Sequence, residues 1–582
     1  MNRLILFLAG CWALGAATGN VVYTGATTCS TPYSGYTCTA ATDRDLTTSW
    51  IGTGSGTQYV QTDFGAGNSV QLSAYRVADA VPGYAGQTNR LYNAVIQGSN
   101  DGSTWVTLDT IPNVPFYARY NMAPRNQRSL SPAVPYRYYR FAQSGTYGEC
   151  SELQWIGPAG AAGISARPVQ PVITPGAGVS TAGTIQITIT STTASASIYY
   201  TTDGTTPTNT NGTLYTGPLL MTAGAVTVLQ AVAYDSTLAT NLSDVAIGHY
   251  RNYAFAPNDD WYDDDGLLIE AHAPHIIGPI QGRYYMTGQF ANKGNAVGAD
   301  IGANEGVWMY SSPDMLNWHF EGQILDNGAS AGTSWNYVER PNVLFNSCTN
   351  RYVLWAHMAN SHDGSDRAGI ATAFKITGPW TWQNVTLDPD NNGFKDFSLF
   401  QEDDGTAYVA YVTGTQGSIT ISRLRGDYQG TTGASLTGLA AGTEAPMLWK
   451  RQGKYFLMSS STNYYNSVSG TFNLRYITCP ACSSPLGAWN TSYAYVLSPV
   501  PSANQPYNCQ SSAVLNLVAR QDALLLLCDF YNPTSLYSSR QSWVPISFPT
   551  SSTAQGLTLT SWDLTTWVPV PKISISSGTA FR

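Results

Sequence analysis

EAPMLWKRQGKYFLMSSS, residues 444–461, opens a strand on a carboxylate, turns, and returns as a second strand. Four other stretches share this form: PHIIGPIQGRYYMTGQF (274–290), RPNVLFNSCTNRYVLWAHM (340–358), DFSLFQEDDGTAYVAYVT (396–413) and SSAVLNLVARQDALLLLCDF (511–530). The copies stand roughly 50–65 residues apart, and all-β repeats at such a period predict propeller blades. In a propeller the innermost strand of each blade runs along the central channel, so corresponding positions face one another. The heads of the five copies are Ala271-His272-Ala273, Glu339, Asp396, Glu444 and Gln510. A single carboxylate there reads as a cap or a turn. Three at equivalent positions predict a shared site, with Trp308, Trp335, Trp355 and Trp380 around it.

Paired carboxylates in an aromatic-lined pocket suit glycoside hydrolysis. One group protonates the leaving oxygen, and a second handles the attacking water or the anomeric carbon. The acid needs a raised pKa, which burial and a neighbouring carboxylate supply.

The rest of the chain agrees with an all-β extracellular protein. Aromatics make up 12% of residues, with 37 Tyr and 16 Trp, against 11% charged residues. The net charge of −8 and the lack of a basic stripe argue against a nucleic-acid partner. Arg3 followed by the apolar run LILFLAGCWALGAA reads as a signal peptide over 1–19, cut between Ala17 and Asn20. No later run reaches the roughly 20 apolar residues of a spanning helix. The expectation is a secreted monomer without a membrane partner. Removing the signal leaves Cys29, Cys38, Cys150, Cys348, Cys479, Cys482, Cys509 and Cys528, an even count that favours disulfides. Cys509 and Cys528 could bridge one repeat. The CPAC loop at 479–482 reads as a structural bridge rather than a zinc or redox site, since there is no second CxxC. Asn211, Asn241, Asn384 and Asn490 head glycosylation sequons.

Residues 20–157 carry AATDRDLTTSWIG, YVQTDFGAGNSVQLSAYRV, VIQGSNDGSTWVTLDTI, YRYYRFAQ and SELQWIG, in that order. They resemble the discoidin (factor 5/8 type C) family, which implies a jelly-roll sandwich that binds carbohydrate or lipid headgroups through loop aromatics. Tyr33, Tyr36, Tyr84 and Tyr117 are the candidates here, although each singly reads as cover for the sandwich. Residues 158–167 (PAGAAGISAR) read as a linker. Over 168–250 the string YYTTDGTTPT…YTGP resembles the chitobiase/β-hexosaminidase C-terminal type, which implies a small Ig-like sandwich acting as a spacer. Residues 251–575 hold the five-bladed propeller, and the tail LTLTSWDLTTWVPV is expected to supply a closing strand. The acidic run DDWYDDDG at 259–266 suggests structural calcium, but its spacing matches no known loop and a solvated turn is the better reading.

VERPNVLFN, FKDFSLFQEDDGTAYVAY, TEAPMLWKRQGKYFLMSSS and NCQSS together resemble glycoside hydrolase family 43, most closely its exo-β-1,3-galactanase branch. The sequence demands no cofactor and leaves a metal at the propeller axis open. The resemblance implies inverting hydrolysis. It makes Glu444 the general acid and Asp396 the group that tunes its pKa and orients substrate. The family's first-blade Asp base falls at Ala273 in EAHAPHIIG and is absent. In the galactanase branch a fifth-blade Gln, matching Gln510, is proposed to act as the imidic acid, with a Glu matching Glu339 close to the sugar. His272, Gln289, Trp335 and His357 are the expected substrate contacts. Two departures bear on the sugar: Gln289 stands where the branch commonly has Glu, and ANSHDGSDRAG supplies His362, Asp363 and Asp366 in place of a tyrosine. The expected substrate is galactan or arabinogalactan. Arabinofuranosidase or xylosidase activity, which the missing Asp opposes, and a non-catalytic carbohydrate-binding scaffold are the alternatives.

Overall fold

The computed structural model describes residues 19–43, 48–78, 94–111, 127–145, 147–159, 165–179, 184–222, 227–252, 260–290, 306–332, 335, 337–359, 364–414, 417–440, 443–451, 453–461, 474–495, 510–516, 523–530, 540–541, 543–547 and 558–559. Tyr84, Tyr117, His362, Asp363, Cys509 and most of the signal segment lie outside these residues. Among the described residues, no helix is long and apolar enough to cross a membrane.

The chain is all-β. Its first part is a sandwich of two five-stranded sheets. One contains Asn20–Tyr23, Glu152–Pro158 and Ala74–Ala78; the other contains Thr57–Asp63, Tyr138–Ser144 and Ala94–Ser99. Thr57–Asp63 alternates strictly between buried and open positions, as a strand with one solvated face should. Val60, Phe141 and Ile96 point inward to meet Tyr75 and Trp155. Cys29–Cys38 is a disulfide at the edge of this sandwich.

The segment read as a linker is not free at its far end. Ala166–Pro168 adds a strand beside Asn20–Tyr23. Arg167, 1% exposed, then forms a two-pronged ion pair with Asp244 of the second sandwich, at 2.7 and 2.6 Å. Removing one partner of a buried pair strands the other charge. Arg167→Ala is therefore expected to cost about 3 kcal/mol, seen as an earlier loss of the two N-terminal sandwiches in thermal unfolding.

The second sandwich contains Thr184–Thr190 in one sheet and Ala246–Arg251, Thr227–Tyr234 and Ser197–Thr201 in the other, around Ile187, Leu229 and Tyr250. It abuts the next part through Asn317, whose side chain exchanges hydrogen bonds with the backbone of Val179, and through His249 stacked on Tyr262 at 3.7 Å. Asn211, Asn241, Asn384 and Asn490 are all exposed.

Five antiparallel sheets follow. Their first strands are His272–Ile280, Tyr337–Asn346, Phe397–Gln401, Thr443–Arg451 and Gln510–Asn516. Each of these strands contacts the next, and the last contacts the first, which closes the ring. The middle strands Gly306–Ser312 and Ala407–Thr413 are buried throughout, because each blade has a neighbour on both faces. Val307 and Met309 pack on Leu354 and Met358, Trp355 on Phe397 and Tyr411, and Ala410 on Leu448 and Leu457. Trp308 and Trp318 of the first blade share a cluster with Leu525 and Trp543 of the fifth. Of the tail expected to supply a closing strand, only Thr558–Leu559 lies among the described residues. The described piece of the tail, Thr558–Leu559, pairs with Val544–Ser547 inside the fifth blade. Among the described residues, the first and fifth blades are joined by this apolar cluster and by Gln541 Nε2 donating to Ala271 O at 2.8 Å.

The described part of the acidic run, residues 260–266, closes a turn. Asp263 Oδ1 accepts from the backbone N–H groups of Asp265 and Leu267, and Asp264 lies 2.9 Å from His319 Nδ1. Asp263, Asp264 and Asp265 also offer carboxylate oxygens within 4.8 Å of one another. Cys479–Cys482 is a disulfide, as read from CPAC, and Cys528 is disulfide-bonded. Cys348 is an exposed thiol, so the even cysteine count does not mean complete pairing.

Candidate active site

The strand heads are built alike in three blades. His272-Ala273-Pro274, Glu339-Arg340-Pro341 and Glu444-Ala445-Pro446 each place the central residue at positive φ, 46°, 52° and 51°. The register slips at each of them, between His272 and His275, Glu339 and Asn342, and Glu444 and Met447. Such bulges re-aim a side chain without ending the strand. Proline removes a ladder donor at the place where the ladder is already broken. His272, Glu339 and Glu444 are thus equivalent in the first, second and fourth blades. Asp396 immediately precedes the third blade's strand, and Gln510 begins the fifth.

A non-glycine residue in the left-handed region is strained, and a β-branched one more so. Ala445 is fully buried and its N–H donates to Asp396 Oδ2 at 3.0 Å. Ala445→Gly is expected to keep activity. Ala445→Val is expected to lose about 1–2 kcal/mol of stability and to lower kcat/KM by turning Glu444; a paired measurement of Tm and kcat/KM on both variants checks this.

These groups converge. Gln510 Nε2 donates to Glu444 Oε2 across 3.4 Å. Glu339, Asp396, Glu444 and Gln510 are all half-buried, open enough to meet a ligand. Beneath them lies a residue that the reading of strand heads passed over. Arg340 is 4% exposed; its Nε is 2.9 Å from Asp396 Oδ1, and its Nη1 donates to Ser511 O at 2.8 Å. Its backbone N–H donates to Gln289 Oε1 at 3.3 Å. One guanidinium therefore ties the second blade to the third and fifth, and the same residue's backbone reaches the first. The signal was present in VERPN: an arginine inside an otherwise apolar strand must find an anion.

The other expected contacts lie deeper. His272 is 4% exposed, with Nε2 3.2 Å from Glu270 Oε2. Gln289 is buried and engaged by Arg340. His357 is buried between Glu339, 3.0 Å from Nδ1, and Asp366, 2.9 Å from Nε2. Burial alone would lower the imidazole's pKa, but the hydrogen bonds and charges of Asp366 and Glu339 raise it to about 9. Trp335 is buried in the cluster between the first and second blades and presents no open ring face. The other tryptophans expected around the site are also packing residues. Trp308 stacks on Phe290, Trp355 donates to Tyr428 O, and Trp380 donates to Ile376 O. A blade's apolar faces need large side chains, and tryptophan fills them as readily as it would a sugar platform.

Glu339, His357 and Asp396 offer donor atoms within 4.8 Å of one another, the spacing of a metal site. Their chemistry does not suit one. Both nitrogens of His357 face carboxylates, and Asp396 is taken by Arg340 and Ala445.

A propeller that gathers a glutamate, an aspartate and an amide at one end of its ring, beside a second glutamate, has the groups for glycosidic bond cleavage. The protein is a glycosidase. Residues 267–534 match the model of glycosyl hydrolases family 43. Residues 26–153 match the F5/8 type C domain, as the N-terminal motifs predicted. Residues 187–250 match the model described as Fn3 associated, in place of the chitobiase type expected. No curated protein matches the chain. Among solved structures, a family 43 β-1,3-galactosidase with galactodeoxynojirimycin is 24% identical over 53% of this chain and 99% of that one, with a TM-score of 0.45. An exo-β-1,3-galactanase from Phanerochaete chrysosporium with galactose is 27% identical over 53% of this chain and 66% of that one, with a TM-score of 0.45. An exo-β-1,3-galactanase from Clostridium thermocellum is 21% identical over 52% of this chain and 64% of that one, with a TM-score of 0.44.

Proposed function

We propose that the protein is a secreted exo-β-1,3-galactanase that releases galactose from galactan or arabinogalactan chains with inversion. The observation that carries this reading is the contact of Gln510 with Glu444, in a ring whose first blade has Ala273 at the place of the usual base. Glu444 is the acid that protonates the leaving oxygen. Asp396, fixed by Arg340 and by the N–H of Ala445, orients the sugar beside it. Gln510 takes the place of the base, holding the attacking water through its amide in the imidic form. Glu339 accepts from the sugar and supports that role.

The geometry adds one requirement. An inverting pair needs about 6.5–9.5 Å between acid and base to admit a water. Gln510 and Glu444 touch at 3.4 Å, so one of them must swing aside as the sugar enters. A panel of β-1,3-galactan, arabinan and xylan tests the reading. Galactose from the first alone is expected. Arabinose or xylose as the main product would replace galactan with another activity of the family, and binding without any product would mean a non-catalytic scaffold.

A further inference from the structure

His357 takes no part in the proton transfers assigned above, yet it sits against one of the groups nearest the sugar. From the second blade's inner strand, Glu339 Oε2 lies 3.0 Å from Nδ1; from the third strand, Asp366 Oδ1 lies 2.9 Å from Nε2. Asp366 is held in turn by Lys395 Nζ at 3.6 Å. Across the blade junction stands Asp396, with a ligating oxygen within 4.8 Å of both Glu339 and His357, and behind it Arg340. Carboxylates accept hydrogen bonds and do not donate them when ionised. A ring with such an oxygen at each nitrogen therefore carries both protons. The Nδ1 contact is bent from ideal hydrogen-bond geometry, so charge holds Glu339 here more than alignment does.

Without that cation Glu339 and Asp396 would be two half-buried carboxylates repelling each other at close range. Asp396 already has Arg340 and the N–H of Ala445 on its two oxygens. Glu339 would be the one to move, and its oxygens would leave the place from which they face the sugar.

We propose that His357 is the positioning residue of this site, clamping Glu339 as a fixed acceptor beside Asp396 so that it pairs with a sugar hydroxyl. The role of Glu339 towards the sugar rests on the function proposed above; the clamp itself does not. The imidazole is held up to about 9 despite its burial, so the clamp is complete below about pH 6.5 and is lost as pH rises through about 9.

The test uses the full chain with ¹³Cε1-labelled histidine. The His357 resonance is identified by its loss in His357→Gln, or in His357→Asn if the first variant does not fold. In the wild type it is expected to titrate near 9, and in Glu339→Gln at least one unit lower. In folded His357→Gln, KM for β-1,3-galactotriose is expected to rise about tenfold, with kcat changed much less. Titration near 6.5 in the wild type, a resonance unmoved by Glu339→Gln, or a folded His357→Gln with the wild-type KM would overturn the proposal. If no galactose is released from any substrate, the galactanase reading fails, and the titrations still decide the clamp.

Discussion

Glu444→Gln is expected to lower kcat on β-1,3-galactan by about 10²–10⁴-fold while substrate binding persists, the range that general acid catalysis spans. The carboxyl is half-buried, and its strand head is set by a bulge and by the left-handed Ala445 rather than by its own side chain. The amide has nearly the same shape and can still meet Gln510, but it cannot deliver a proton to the glycosidic oxygen. The loss should fall on kcat, with KM little changed. It should also be smaller for galactosides whose leaving group departs without a proton, such as a nitrophenolate. Turnover at the wild-type rate would remove Glu444 from the mechanism.

Arg340→Met is expected to destabilise the protein by about 3 kcal/mol or more and to lower kcat/KM by about 10²-fold or more. The methionine fills much of the space but leaves Asp396 Oδ1 and Ser511 O without their donor. Asp396 then keeps only the N–H of Ala445 and can rotate away from the sugar. The carbonyl of Ser511 lies next to Gln510, so the fifth blade's contribution shifts as well. Arg340→Lys should fall between, since a single ammonium cannot reproduce the fork that reaches two blades. Thermal unfolding and kcat/KM measured together check the pair. Wild-type activity in a folded Arg340→Met would show that Asp396 needs no strut.

The propeller was legible because its evidence is repeated. Five hairpins of one form, each headed by a polar residue, survive uncertainty in any single strand. Glu339, Asp396, Glu444 and Gln510 could be read from the same repetition, and they meet as the repeat demands. Arg340 is less legible, because the repeat marks the groups at the strand heads and Arg340 stands one place inside. Its role depends on which anion lies across the blade junction, and that is a matter of three dimensions. The tryptophans were misread for a related reason. Sequence shows an aromatic near a site but not which way its ring faces, and in a propeller both blade faces compete for it. The strand of Ala166–Pro168 was hidden because a Gly/Ala-rich run carries no period. Its pairing is dictated by the free edge of Asn20–Tyr23, and its position by the ion pair of Arg167 with Asp244.

The proposed function requires Glu444 and Gln510 to act from opposite sides of the anomeric carbon, although Ala273 stands at the place of the usual first-blade aspartate base. The direct measurement is proton NMR of β-1,3-galactotriose hydrolysis, read before mutarotation. Release of α-galactose first, and only later its β-anomer, is the predicted result. Release of β-galactose first would mean a double displacement and would contradict the assignment of Gln510.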